Sequence, residues 1–201
     1  MGDTFANKQK ADTDSKAAEL LDIDQKELGK ASKTISSILE HLEVPRMKIV
    51  ITGAAGSGKT TLAGELSKKL SIPVFDLDEF IEGGWTSNKE EYKKRFVKAL
   101  YQVWQKLPAK GSWIIDHVEA CSPDILHILH PNFFILVHPP DSRIVATAKA
   151  RMEVSDDKTD RVPRALQSKK TAEKQFKDAG GMLLRKEKGW TLKRSPPPTK
   201  G

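Results

Sequence analysis

The sequence predicts an α/β fold: a three-layer parallel sheet with flanking helices, preceded by an N-terminal helical appendage. Three observations predict it. Apolar or β-branched runs recur at residues 47–52, 72–76, 112–116 and 132–138, each the length of a buried strand. Helical patterns lie between these runs, and a strand that pairs in parallel with its neighbour needs such a crossover. The 201 residues are enough for one core-bearing domain of ordinary size.

Residues 1–18 are polar and without apolar periodicity, which suggests a mobile leader. Leu20, Leu21, Ile23 and Leu28 indicate a short helix, and Ile35, Ile38, Leu39 and Leu42 fall at i, i+3, i+4 and i+7 on one stripe of a second. Pro45 ends that helix, so residues 19–46 form the appendage. The main domain, 47–192, opens with the strand Met47 to Thr52. Its clearest helix is Lys89 to Leu107, where Tyr92, Phe96, Leu100, Val103, Trp104 and Leu107 share a face. Arg151 to Arg164 is charged and aperiodic, a mobile segment between helices, and Ala165 to Ala179 is helical until Gly180-Gly181 stops it. A last strand or hairpin turns around Gly189, and residues 193–201 form a basic, Pro-rich tail unable to enter a helix or an inner strand.

Composition narrows the class. A lone Cys121 cannot form an internal disulfide, no run approaches the roughly 20 apolar residues of a membrane helix, and the polar start lacks a signal-peptide core. The expectation is a soluble cytoplasmic protein, in the host cytoplasm if viral, with no membrane partner. The net charge of +7 is uneven, because residues 141–201 carry 16 basic against 8 acidic groups. That excess suits either a solvated lysine-rich face or a polyanion such as DNA.

The strongest chemical signal follows the first strand. Gly53-Ala54-Ala55-Gly56-Ser57-Gly58-Lys59-Thr60 fits G-x-x-x-x-G-K-[ST] at every fixed position, with Thr61 next in the helix it opens. Glycines let the loop curl its N–H groups around a phosphate, and the helix adds its positive end. Lys59 then reaches the outer phosphates and the Thr60 hydroxyl can ligate Mg²⁺. Nucleoside-triphosphate binding follows, and the fold class becomes that of the P-loop NTPases.

Val74-Phe75-Asp76-Leu77-Asp78-Glu79-Phe80-Ile81-Glu82 ends the second strand and Asp116 the third, before His117-Val118-Glu119. With these acids and no N-K-x-D sequence, residues 47–192 resemble the small P-loop kinases, the group of adenylate, shikimate and gluconate kinases. The resemblance implies ATP and Mg²⁺ as cofactors, Asp76 holding the metal through water, Asp78 orienting the acceptor hydroxyl, and Asp116 at the Walker B position. It also places Arg151, Arg161 and Arg164 in the lid that closes over the triphosphate. Asp76 or Asp78 alone also suits a cap on the next turn, and His117 an ordinary surface position.

The departures bear on the acceptor. Shikimate kinases carry a run of glycines after the third strand and an F-R pair in the acceptor helix, and adenylate kinases an arginine shortly after the third-strand aspartate; neither pattern occurs here. Trp85, after Gly83-Gly84, either stacks on a planar acceptor or packs on its own domain. The expected activity is γ-phosphoryl transfer to a nucleoside-like or small-molecule acceptor, with the bacteriophage kinases of hydroxymethylated pyrimidines in DNA as one version. A P-loop switch that binds DNA or a partner without kinase activity is the non-enzymatic alternative.

Overall fold

The computed structural model describes residues 26–42, 45–84, 86–109, 111–154, 161–179, 181–186 and 190–195. The leader, Leu20, Leu21, Ile23, Trp85, Gly189 and the end of the tail lie outside these residues. Helix α1 covers residues 26–41. After it come β1 (Lys48–Gly53), α2 (Lys59–Leu70), β2 (Val74–Asp76), a 3₁₀ turn (Leu77–Phe80), α3 (Lys89–Lys106), β3 (Trp113–Asp116) and α4 (Pro123–Leu129). Then follow β4 (Phe133–His138), α5 (Asp141–Val154), α6 (Arg161–Ala179), β5 (Gly181–Lys186) and β6 (Trp190–Ser195).

The strands form one sheet in the order β2-β3-β1-β4-β5-β6. The first five are parallel, and β6 runs antiparallel to β5 as an edge strand. Central strands buried on both faces need apolar residues at consecutive positions, and Ile49, Val50, Ile51, Ile114 and Ile115 are all fully buried. Their side chains alternate between two cores. Ile49, Ile51, Ile114, Ile135 and Val137 join α1 and α2 on one face. Val50, Trp113, Ile115 and Leu136 join α3, α4 and α6 on the other. The two faces make the three layers that the alternation of runs implies.

Several local readings need correction. Leu28 and Ile35 belong to one continuous helix, not to two. Its buried stripe is Leu28, Ala31, Ser32, Ile35, Ser36 and Leu39, whereas Ile38 and Leu42 face solvent. Buried serines conceal that stripe in the sequence, because each hydroxyl is satisfied within the helix, Ser32 by the Gly29 carbonyl at 2.9 Å and Ser36 by the Lys33 carbonyl at 3.0 Å. The helix therefore lends Leu28, Ala31, Ile35 and Leu39 to the core of the main domain. Trp104 is half exposed, off the buried face of α3. Arg151 lies in α5 and Arg161 and Arg164 in the first turns of α6, so these arginines are carried by helices and not by an irregular segment. Arg194 and Ser195 extend β6.

β1 lies between β3 and β4, so the chain crosses to one side of β1 and then returns to the other. The crevice beyond the carboxyl ends of strands at such a reversal is where open α/β sheets bind ligands. Gly53, Asp76 and Asp116 close β1, β2 and β3 at that edge. Among the described residues no helix is long and apolar enough to cross a membrane.

Candidate active site

The loop from Gly53 to Gly58 leaves β1 and turns directly into α2. Gly56 and Gly58 take φ values of 80° and 92°, in the left-handed region that favours glycine. Neither has room for a side chain: a Cβ on Gly56 would stand 2.8 Å from Thr147 Cγ2, and one on Gly58 2.9 Å from Leu28 Cδ1. The turn is closed by the Ser57 N–H donating to the Ala54 carbonyl at 3.0 Å. The start of α2 has no side-chain cap and no acidic residue in its first turn, so its first N–H groups and its positive end are left for an anion. Gly53, Ala54, Ala55, Gly56, Ser57, Gly58, Lys59, Thr60 and Thr61 are thus continuous around one turn shaped to receive an anion. The Ala55 N–H is already engaged, donating to Ser168 Oγ of α6 at 3.1 Å.

Parallel pairing of β2 with β3 sets Asp76 beside Asp116. Asp116 is 1% exposed, and Lys59 Nζ stands 3.8 Å from its Oδ1. Burial raises the Asp116 pKa, against the opposing pull of Lys59 and the Thr60 hydroxyl. Neither Asp116 oxygen has a hydrogen-bond partner. Asp76 caps the 3₁₀ turn, its Oδ1 accepting from the Asp78 N–H at 3.0 Å. Thr60, Asp76 and Asp116 supply hard oxygen donors at one edge, and two orphaned buried carboxylate oxygens are the kind of group a cation satisfies. Among the described residues there is no group of three or more His, Cys, Asp or Glu that could hold a metal ion.

Asp78, on the 3₁₀ turn, is 59% exposed and points its Oδ1 toward His117 Nε2 at 3.1 Å. Burial pushes the Asp78 carboxyl up, but the His117 contact and Lys59 outweigh it and hold the group below the ordinary carboxylate value. His117 is wholly buried, which corrects the expectation of a surface histidine. Glu119 follows on the same loop, its carboxyl pushed up by burial and by Asp124 and Asp78 in opposition to His117. The Tyr92 hydroxyl is pushed up likewise, by burial and then by Glu119 and Asp78.

One cleft of about 1030 Å³ joins these groups; Lys59, Asp78, Tyr92, Glu119, Arg161 and Arg164 all line it. Of the three expected lid arginines, two therefore reach the cleft, while the Arg151 side chain lies outside the described residues. Arg95, on α3, pairs with Glu91 and donates to the Gly84 carbonyl at 3.4 Å. Cys121 is buried and its thiol pushed up to about 12, which leaves it no thiolate to act with. Sequence reasoning missed Ser168 and Thr52, whose hydroxyl donates to the Val118 carbonyl at 2.7 Å and pins the loop bearing His117. Their partners lie far along the chain, so no local pattern announces them.

A family model for shikimate kinase matches residues 55–179, from the phosphate loop to the end of α6. The chain belongs to the shikimate kinase family. This kinase is accordingly an ATP-dependent phosphotransferase acting on a hydroxyl, a small-molecule P-loop kinase. It is similar in structure to shikimate kinase from Bacteroides thetaiotaomicron, with a TM-score of 0.49 and 17% identity over 69% of this chain and 85% of that one. It is also similar to shikimate kinase from Acinetobacter baumannii in complex with shikimate, with a TM-score of 0.48 and 16% identity over 65% of this chain and 78% of that one. A gluconokinase from Sinorhizobium meliloti 1021 gives a TM-score of 0.43 and 14% identity over 62% and 75% of the two chains. At these identities and scores the likeness bears on neither substrate nor mechanism. No curated protein matches the chain significantly.

Proposed function

We propose that the chain transfers the γ-phosphoryl group of Mg·ATP to a hydroxyl of a small polyhydroxylated acceptor, with Asp78 orienting that hydroxyl. The observation that carries this reading is the placement of Asp78 and Lys59 on the wall of one cleft. Phosphoryl transfer needs an oriented nucleophile and a neutralised triphosphate more than a strong base. An Asp78 carboxyl held below its ordinary value remains ionised at neutral pH, ready to accept a hydrogen bond from a hydroxyl.

In this reading the loop amides and Lys59 bind the β- and γ-phosphates, and Thr60, Asp76 and Asp116 hold Mg²⁺. The ion, when bound, neutralises charge on the triphosphate. Arg161 and Arg164 face the transferring group from α6, and Arg151 belongs with them by its place in the chain. The acceptor oxygen forms a bond to the γ-phosphorus as the bond to the β,γ-bridging oxygen breaks; ADP departs and the hydroxyl proton passes to Asp78 or to solvent.

The acceptor side carries Asp78, Glu119 and Asp124, with Tyr92 beside them. Carboxylates accept hydrogen bonds and repel anions, so this wall suits an acceptor rich in hydroxyls at that end. The nucleoside-like and DNA versions draw on Trp85 and the basic last third. Trp85 and the side chains after residue 180 lie outside the described residues, and no described contact favours those versions or the nucleotide switch.

The test is transfer of label from γ-labelled ATP in the presence of Mg²⁺ to a panel of polyols, sugar acids including gluconate, shikimate, nucleosides, and plain and hydroxymethylated DNA. The expected product is a small phosphorylated polyol. Label entering DNA alone, or no transfer to any member, would overturn the reading.

A further inference from the structure

Asp78 presents a problem of orientation. It sits on a four-residue 3₁₀ turn with its side chain 59% exposed, so its own element does little to fix the carboxylate. Its neighbour is the opposite. His117 is 0% exposed, its N–H donates to the Ile51 carbonyl at 3.2 Å, and its carbonyl accepts from the Ala120 N–H at 3.2 Å. The ring lies against Phe96, centroids 5.3 Å apart, and Thr52 pins the next residue through the Val118 carbonyl.

The hydrogen bonds of that ring decide its tautomer. The Glu119 backbone N–H donates to Nδ1 at 3.0 Å. An amide N–H has nothing to accept with, so Nδ1 must offer a lone pair and the ring proton of the neutral imidazole sits on Nε2. Nε2 is buried, has no aligned hydrogen-bond partner, and stands 3.1 Å from Asp78 Oδ1. The distance is that of a hydrogen bond without its full geometry, and catalytic contacts are often poorly aligned before substrates bind.

We propose that His117 is a positioning residue: its Nε2–H holds Asp78 Oδ1, leaving the second carboxylate oxygen to accept the hydrogen bond of the acceptor hydroxyl. Asp76 completes the arrangement by accepting from the Asp78 N–H at 3.0 Å, so one residue fixes the backbone of Asp78 and another its side chain. The inference rests on the kinase reading for its consequence, but the contact itself is independent of which acceptor is used.

Two measurements test it. In the full chain labelled with ¹⁵N-histidine, long-range ¹H–¹⁵N spectra should show His117 protonated at Nε2 and bare at Nδ1, and Asp78→Ala should shift the Nε2–H resonance. Asp78 is exposed, so that variant keeps its fold. An Nδ1-protonated ring, or a resonance unmoved by Asp78→Ala, overturns the proposal even if the protein proves to have no kinase activity.

The second measurement is Mg·ATP turnover, with the panel acceptor that proves active or, failing one, with water. His117→Met keeps the bulk and removes the donor; it should lower kcat about 10-fold or more, as expected for losing a hydrogen bond to a charged group, with the KM for ATP within about twofold. His117→Gln, whose side-chain amide reaches the position of Nε2, should return kcat to within about threefold of the wild type. Full activity in the Met variant, or a Gln variant as slow as Met, would reduce His117 to packing. Lys59→Ala reports separately on the kinase reading, since it removes transfer while the His117 ring should still be protonated at Nε2 and bare at Nδ1.

Discussion

In the proposed mechanism Lys59 and Asp78 divide the work at the scale of single residues. Lys59→Ala removes the charge proposed to meet the outer phosphates, and transfer should fall below detection. Asp78→Asn keeps the shape and removes the anion; kcat should drop by roughly 10²- to 10⁴-fold, the usual worth of a positioned acid or base group, while labelled ATP still binds. Equal loss of ATP binding in both variants would place Asp78 in the triphosphate site instead. Asp116 makes a different prediction. Burial raises its pKa from the ordinary 3.8, so the fold favours the neutral carboxyl. Its contribution to stability is therefore best at low pH and is lost as pH rises through the folded-state value. In the metal-free protein Asp116→Asn should melt above the wild type at pH 7, each ~1 kcal/mol appearing as about 2–4 °C, and the gap should close toward pH 4. A gap that widens toward low pH would contradict the assignment.

At the scale of elements, the phosphate loop and strand ends follow from local chemistry. Motif spacing fixes Gly53 to Thr61, and short apolar runs fix β1, β3 and β4, because those features depend on neighbours in sequence. The buried face of α1 does not follow in that way, since Ser32 and Ser36 occupy positions a hydrophobic stripe would fill. His117 is a similar case: its burial depends on Phe96 in α3 and on Thr52, distant in sequence from the Val118 it holds. The placement of α1 has a consequence for the site. Leu28 is 2% exposed and abuts Gly58. Leu28→Ala should cost about 2–5 kcal/mol in chemical denaturation and also weaken nucleotide binding, because the loop loses its backing. Lost stability with unchanged ATP affinity would show that the helix supports the core alone.

Across the whole molecule, sheet topology brings together groups from distant parts of the chain. β1, β2 and β3 deliver the loop, Asp76 and Asp116 to one edge, while α6 returns to cover it with Ser168, Arg161 and Arg164. A ligand that binds only this assembled edge must stabilise the fold. Mg·ADP at about 100 times its Kd should add ~2.7 kcal/mol, roughly 5–10 °C in melting temperature, and Lys59→Ala should lose most of that shift. No shift in the wild type would mean that the loop does not bind nucleotide. The proposed acceptor was the part least accessible from sequence, because the cleft wall proposed to hold it is assembled from the 3₁₀ turn, α3 and the loop after β3. The most direct test of the central claim is the transfer of γ-labelled phosphate to a small polyol by the wild type and by Asp78→Asn side by side. The wild type should yield a labelled phospho-polyol, and the variant, which still binds ATP, should transfer at least about 100-fold more slowly. Undiminished transfer by Asp78→Asn, or label found only in DNA, would contradict it.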